Sequence, residues 1–319
     1  MYEFSEIGLP HQFCADYPSQ RLSMFLSNSL LLFFLFLWAF QTTYHAKDPK
    51  VRTLRINVRM VEVYAAVFDE RGRYIPGLTM NDFEIEENGQ IQSVQSFESS
   101  SSALTLALLV DTTGSMLQPL PHVKNAVADL LTQIKPQDRF GLFSFNNRLK
   151  VLVPFTKNRR TALRALFRMR ATGSTALFDS LAQLAPHLAR VTGKKAILLF
   201  TDGEDTSSVL SMEDSVRTIK RVGIPVYTIS QGRALKSKLL LDRLEDISDE
   251  TGGVSFRIKR PEEIGIVFSE IVKDLQHLYL LSYYPLSESS SNNRRWRKIS
   301  VRVRNSKGIT VRSKEGYLP

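Results

Sequence analysis

Five side chains in three separated stretches share one kind of chemistry: each offers an oxygen. Asp111, Thr113 and Ser115 lie in Asp111-Thr112-Thr113-Gly114-Ser115-Met116, Thr175 lies in Gly173-Ser174-Thr175-Ala176, and Asp202 lies in Thr201-Asp202-Gly203-Glu204. Two carboxylates and three hydroxyls, with no His or Cys among them, make a hard donor set that suits Mg²⁺, Ca²⁺ or Mn²⁺ rather than zinc or copper. Hydroxyls are neutral ligands, so two carboxylates at most balance a dication. If one or both act through water, the ion keeps residual positive charge and an open position that an incoming carboxylate can fill. Helix N-termini following Ser115 and Thr175 would add a favourable field for that anion. This is the chemistry of a metal-bridged contact rather than of a hydrolytic centre. Taken alone, Asp111 or Asp202 could equally be a helix cap, so the reading depends on the elements that position them.

Those elements alternate. Leu104 to Val110 is apolar except for Thr105, as expected of a strand buried on both faces, and Ala196 to Phe200 is a second such strand. Helical spacing marks His122–Ile134, Arg160–Met169, Ala176–Leu188, Met212–Val222 (ended by Gly223), Leu239–Ser248 and Glu262–Leu278; shorter strands fall at Phe140–Phe145, Val151–Phe155, Ile224–Ile229 and Val254–Phe256. Repeated β-α alternation predicts an α/β fold, a doubly wound, mainly parallel sheet with helices on both faces, over residues 103–278. In such sheets the ligand site lies beyond the carboxyl ends of the strands, where Asp111 and Asp202 fall. On either side the pattern is β-rich. Residues 51–98 show alternation at Leu54, Ile56, Val58 and Met60, a Thr79-capped helical turn, and an Asn88-Gly89 hairpin signal between Phe83–Glu86 and Ile91–Phe97. Ser99 to Ser102 reads as a linker. Residues 279–319 return to β character around a Ser/Asn-rich loop, and the two flanks are expected to pair because neither has strands enough for its own core.

At Asp111-Thr112-Thr113-Gly114-Ser115 the chain resembles the Asp-x-Ser-x-Ser motif of von Willebrand factor type A domains, and Thr175 and Asp202-Gly203 match that family's second and third motif segments in order. The resemblance implies a metal-ion-dependent adhesion site (MIDAS) in which Thr113 and Ser115 bind the ion through their hydroxyls. It further implies that Asp111 and Asp202 act mainly through bridging waters and that Thr175 completes the shell. Thr113 departs from the usual serine; it keeps the hydroxyl and adds a methyl, which bears on ion selectivity. The flanks are similar to a bacterial subgroup of VWFA-related proteins at Gly77-Leu78-Thr79, Asp82-Phe83, Glu87-Asn88-Gly89, Phe97, Tyr279 to Pro285, Trp296-Arg297-Lys298 and Gly316-Tyr317. Members of that subgroup typically carry an export signal.

The 319 residues carry 42 Lys+Arg against 32 Asp+Glu, a net charge of +10, with 43% hydrophobic content, which excludes global disorder. One cysteine, Cys14, leaves no intramolecular disulfide framework and no Cys-based zinc site. From Pro285 to Pro319, nine basic residues against Glu288 and Glu315 supply seven of the ten net charges. Ile299, Val301 and Val303 alternate with Ser300, Arg302 and Arg304, so most of the basic residues read as the wet face of a sheet rather than a nucleic-acid surface. The basic run at Arg159, Arg160, Arg164, Arg168 and Arg170 reads as an exposed helix face, with steering of acidic partners as the alternative. Glu204 and Asp205 read as solvated, with a supporting place around the metal shell as the alternative. The apolar run Leu30 to Phe40, within residues 1–46, matches a signal-peptide core better than a full span, which needs about 20 residues; extended back to Leu22 it is a marginal membrane anchor over 22–40. Lys47, Lys50, Arg52, Arg55 and Arg59 after the run weigh against export on the positive-inside rule, but the expectation remains an extracytoplasmic protein, secreted or anchored. No phosphate-loop, G-x-S-x-G or H-E-x-x-H motif occurs, and Thr113 stands where an aspartyl-phosphate enzyme needs a second Asp, so no enzyme is expected. The sequence thus predicts a binding or adhesion module that captures a carboxylate of a protein partner through a divalent cation. The alternatives are a scaffold or assembly factor with a purely structural metal site and, behind it, a metal-dependent hydrolase.

Overall fold

Strand β5 (Leu104–Asp111) is buried along its whole length because its two neighbours in the sheet, β8 (Lys194–Thr201) and β6 (Arg139–Phe145), are parallel to it and helices cover both faces. The computed structural model describes residues 60–260, 263–286 and 295–318, which fall in one unit running from Asn57 to Pro319. The expected leader and the alternation at Leu54, Ile56 and Val58 lie outside the described residues. The central sheet has six strands in the order β10 (Ser255–Arg257), β9 (Val226–Ser230), β8, β5, β6, β7 (Leu149–Thr156). All pairs are parallel except β6 with β7, which form an antiparallel edge. From β5 the chain goes to β6 on one side and later returns to β8 on the other, so the order of winding reverses between β5 and β8. That is the crevice where doubly wound sheets bind ligands.

Apolar side chains alternate along β5 and divide the core in two. Leu106, Leu108 and Val110 meet α1 (Leu120–Gln133), α2 (Arg159–Arg168) and α6 (Ile264–His277); Ala107 and Leu109 meet α3 (Leu177–Ala189), α4 (Met212–Val222) and α5 (Lys238–Thr251). The helices stop where the sequence supplies a stop. Ser211 accepts from the Asp214 N–H at the start of α4, and Gly223, at φ 73°, closes it in the left-handed region. Gly253 is needed for another reason. A Cβ there would lie 2.0 Å from the Val226 carbonyl oxygen in central strand β9. Backbone held on both sides cannot withdraw cheaply, so Gly253→Ala is expected to cost about 3 kcal/mol, read as a lowered urea midpoint; an unchanged midpoint would contradict this packing.

The flanks combine as expected, and they form two antiparallel sheets. One has the order β13 (Thr310–Ser313), β1 (Val61–Phe68), β11 (Tyr279–Tyr283), β4 (Val94–Glu98); the other β14 (Gly316–Tyr317), β12 (Arg297–Val303), β2 (Phe83–Glu87), β3 (Gln90–Gln92). Between them Val63, Ala65, Phe83, Ile85, Leu281 and Tyr283 form a separate core. Tyr64 and Ala66, on the opposite face of β1, join the core of the main sheet, and the Tyr64 hydroxyl accepts from the Lys195 N–H at 2.7 Å. Asn88 and Gly89, both at positive φ (52° and 80°), make the tight turn of the β2–β3 hairpin. The run Ile91–Phe97, expected as one arm of that hairpin, is divided. It leaves its partner after Gln92 and crosses at Ser93 to pair with β11, which lets Val94 and Phe97 pack on the shared core while Ile91 stays exposed.

Most of the described basic residues of the tail are exposed, as expected. Lys298, Arg302 and Arg304 are exposed, and Arg302 pairs with Glu84 and Glu86 on the neighbouring strand. Arg297 and Lys314, however, are buried, and Arg312 is only partly exposed. Arg297 donates to Glu87 at 2.6 Å, and the same carboxylate accepts from the Tyr283 and Tyr317 hydroxyls. Arg312 donates to both oxygens of buried Asp274 on α6, which also accepts from Tyr74 at 2.6 Å and Tyr227 at 2.5 Å. This second cluster joins β9, α6, β13 and the turn after β1. Burial pushes the Lys314 ammonium down to about 8. Among the described residues no helix is long and apolar enough to cross a membrane.

Candidate functional site

The register of the parallel strands sets the site. Val110 lies opposite Phe200, so Asp111 ends β5 level with Thr201, and Asp202 follows one residue beyond. Both carboxylates are fully buried at the carboxyl end of the sheet, and Thr113 and Thr175 are almost so, with Ser115 partly exposed above them. Asp111 does not cap a helix. Its Oδ1 accepts from the Thr113 N–H at 2.9 Å, and its Oδ2 accepts from the Thr201 hydroxyl at 2.8 Å. The first bond folds the loop after β5 back over the strand end and, with the 3-10 turn Gly114–Leu117 anchored by buried Met116, brings Thr113 Oγ1 and Ser115 Oγ to 3.0 Å of each other. Helix α1 begins only after that turn, so the field expected behind Ser115 comes from a turn and not from a helix end.

Thr175 is fixed from both sides. The Thr172 N–H donates to the Thr112 carbonyl at 2.8 Å and the Gly114 N–H to the Gly173 carbonyl at 3.1 Å, which docks the second stretch on the first. Asn146, at the end of β6, accepts from the Ala176 N–H through its carbonyl and donates through its side chain to the Thr172 carbonyl. From the third stretch, Thr206 and Ser207 donate backbone N–H groups to the Thr175 carbonyl, and the Thr206 hydroxyl accepts from the Thr175 N–H. Three stretches distant in sequence thereby form one surface, a depression of about 320 Å³ lined by Thr113, Ser115, Thr175, Glu204, Thr206 and Arg233 among others.

Two acidic residues differ from the sequence reading. Asp205 is not a solvated carboxylate: it accepts from the Phe178 N–H and from Ser208, closing the N-terminus of α3. The donors expected to face an anion there are thus partly taken. Glu204 is partly buried and pairs with Arg233 across the mouth of the depression. Arg233 had no motif to mark it; its position just past the carboxyl end of β9 is the signal that finds it. Helix α2 carries its arginines as expected on an outer face, apart from Arg159, whose side chain donates to the Ile134 carbonyl.

The two carboxylates sit in a poorly solvated environment. Burial lifts the Asp111 carboxyl to about 6; hydrogen bonds from Thr113 and Thr201 pull it down, and the Asp202 carboxylate adds to the rise. Among the described residues, Asp202 Oδ2 is buried and meets no hydrogen-bond partner, and the other such atoms include Asn146 Oδ1, Ser230 Oγ and Gln231 Nε2, all at this same end of the sheet. An orphaned acceptor of this kind is costly unless something positive meets it. Among the described residues no three His, Cys, Asp or Glu side chains cluster as a metal group; the donors here are mixed carboxylates and hydroxyls, and they fit a hard dication.

The raised Asp111 value has a consequence for the metal-free protein. A carboxyl whose folded value, about 6, exceeds its ordinary 3.8 favours folding in its protonated form; that stability is present below 3.8 and is lost as pH rises through 6. Without divalent ions, raising the pH from 4 to 7.5 is expected to remove about 2 kcal/mol through this group alone. Asp111→Asn should flatten that part of the pH profile of thermal unfolding, and an identical profile in the variant would contradict the assignment.

The fold and the site together define a doubly wound domain with an oxygen-donor set at its switch point. The family model for the von Willebrand factor type A domain matches residues 105–270, and the chain belongs to that family, whose domains are protein-interaction modules. A protein of Synechocystis sp., sll0103, is 27% identical over 194 residues, which cover 58% of this chain and 44% of that protein. The chain thus matches less than half the length of that relative. Among solved structures, a von Willebrand factor type A protein from Catenulispora acidiphila has a TM-score of 0.48 at 14% identity, over 82% of this chain and 74% of its own. BatB from Bacteroides thetaiotaomicron gives 0.45 at 18%, over 54% and 98%. The vWF domain of the type V pili tip protein Mfa5 from Porphyromonas gingivalis gives 0.45 at 12%, over 54% and 95%.

Proposed function

We propose that this chain is an extracytoplasmic binding module, centred on residues 103–278, that captures an acidic side chain of a protein partner through a divalent cation. Thr113 and Ser115 would hold the ion through their hydroxyls, Thr175 would complete the shell, and Asp111 and Asp202 would act through bridging water. The observation that carries this reading is the buried Asp202 Oδ2, without a hydrogen-bond partner among the described residues, at the same end of the sheet as a depression lined by Thr113, Ser115 and Thr175. When bound, the ion supplies an electrophile for a carboxylate oxygen, and Mg²⁺, Ca²⁺ and Mn²⁺ all suit the donors. The chain's own residues do the rest. The Thr113 N–H and Thr201 hydroxyl orient Asp111, and the contacts of Asn146 and Thr206 fix the stretch that carries Thr175.

Export and possible anchoring rest on the apolar run Leu30 to Phe40. The test is a pull-down from a cell-envelope fraction in Mg²⁺ and again in chelator. The reading expects partners held in Mg²⁺ and released by chelation. Partners that stay bound in chelator contradict it and match a scaffold with a structural metal.

A further inference from the structure

The mouth of the depression holds a charge pair that the five-residue site does not use. Glu204 lies two residues beyond Asp202 and lines the same wall as Thr113, Ser115 and Thr175; Arg233, from the segment after β9, lines it too. The Arg233 guanidinium donates to Glu204 Oε2, with Glu204 one-third exposed and Arg233 more than half. The residue before Glu204 is held by a hydrogen bond from the Gly203 N–H to the Thr201 hydroxyl at 3.1 Å. Gly203 sits at φ 78°, and a Cβ there would meet Leu244 Cδ1 at 3.0 Å and the Leu240 carbonyl oxygen at 3.3 Å. The Glu204 N–H points at Asp202 Oδ1, 3.4 Å away. The Glu204 carboxylate, part-exposed and engaged by Arg233, lines the same depression as the Thr113, Ser115 and Thr175 hydroxyls.

A dication held mainly by neutral hydroxyls keeps an appetite for a further carboxylate. The first carboxylate in line is the chain's own. We propose that Arg233 guards the open side of the ion site: by engaging Glu204 it keeps this internal acid from taking the position that an acidic side chain of a partner is to occupy. The inference rests on the metal reading above and adds to it a residue that sets ligand access. Arg233 is a positioning residue, acting through Glu204.

The test uses Mn²⁺ as the probe and the full chain as wild type, Arg233→Ala, and Arg233→Ala with Glu204→Gln. Affinity and water-proton relaxation are measured together. With Arg233 gone, Glu204 turns to the ion, Mn²⁺ binding tightens on the order of tenfold, and relaxivity per bound ion falls on the order of a third as the carboxylate displaces a water. Adding Glu204→Gln returns both to the wild-type values, and Arg233→Lys, which keeps the charge, stays near wild type. Tighter binding with unchanged relaxivity would mean that Arg233 acts only through its field, and this overturns the proposal, as does unchanged affinity. Wild-type protein that binds no Mn²⁺ overturns the metal reading itself and this inference with it.

Discussion

In Asp202→Ala the response of the protein to Mg²⁺ is expected to vanish while the metal-free protein loses little stability or gains some. The two halves of this result have one cause. Asp202 is fully buried; among the described residues its Oδ2 has no partner, and its Oδ1 has only the Glu204 N–H at 3.4 Å. A carboxylate so placed costs free energy in the absence of a cation, so removing it relieves the metal-free fold. With the ion present the sign reverses. For wild type, Mg²⁺ at a hundred times Kd adds about 2.7 kcal/mol to the folded state, a rise of about 5–10 °C in Tm for a unit of this size. Differential scanning calorimetry of both proteins, with chelator and with Mg²⁺, reads both terms. A variant that is strongly destabilised without ion, or that keeps the Mg²⁺ shift, would show that Asp202 is structural.

The second large effect lies far from the site. Arg297→Met is expected to cost about 3–5 kcal/mol, because it leaves Glu87 buried without its countercharge. Glu87 is 2% exposed and would retain only the Tyr283 and Tyr317 hydroxyls, at 2.6 and 3.0 Å. Those hydroxyls are themselves pushed up by burial and by the carboxylate they face, so they stay protonated donors but bring no positive charge. Adding Glu87→Gln should recover a good part of the loss, since the uncompensated charge and not the missing guanidinium causes it. Arg302, on the same strand, provides the control. It bridges Glu84 and Glu86 in the open, and Arg302→Ala should barely move the urea midpoint. Equal effects at the two positions would contradict the distinction drawn between them.

These two arginines also mark where the sequence is legible and where it is not. Ile299, Val301 and Val303 announce strand β12 through their period, and Arg302 is on the wet side as that period requires. Arg297 shares the inward phase of Ile299 and Val301 and is buried with them. What the tail does not show is the acid that meets it, since Glu87, like the Asp274 that meets Arg312, comes from a distant segment and the tail has only two acids of its own. The same distinction holds at the candidate site. Asp111 and Asp202 stand at the ends of strands whose apolar runs fix their placement, so parallel register brings the first and third stretches to one end of the sheet, and the loop that carries Thr175 docks between them. Asn146, Asp205 and Arg233 carry no motif; their roles follow from how loops dock on one another, which no local periodicity encodes. The turn at Ser93 is hidden for a related reason: Ile91, Val94 and Phe97 look like one strand until two sheets compete for it.

The central claim concerns an ion between named oxygens, and anomalous diffraction tests it most directly. Crystals of the protein grown with Mn²⁺ should give one strong anomalous difference peak in contact with Thr113 Oγ1 and Ser115 Oγ, lost in crystals of Asp202→Ala. A well-ordered depression with no peak at saturating Mn²⁺, or a peak elsewhere on the molecule and none here, would contradict the account.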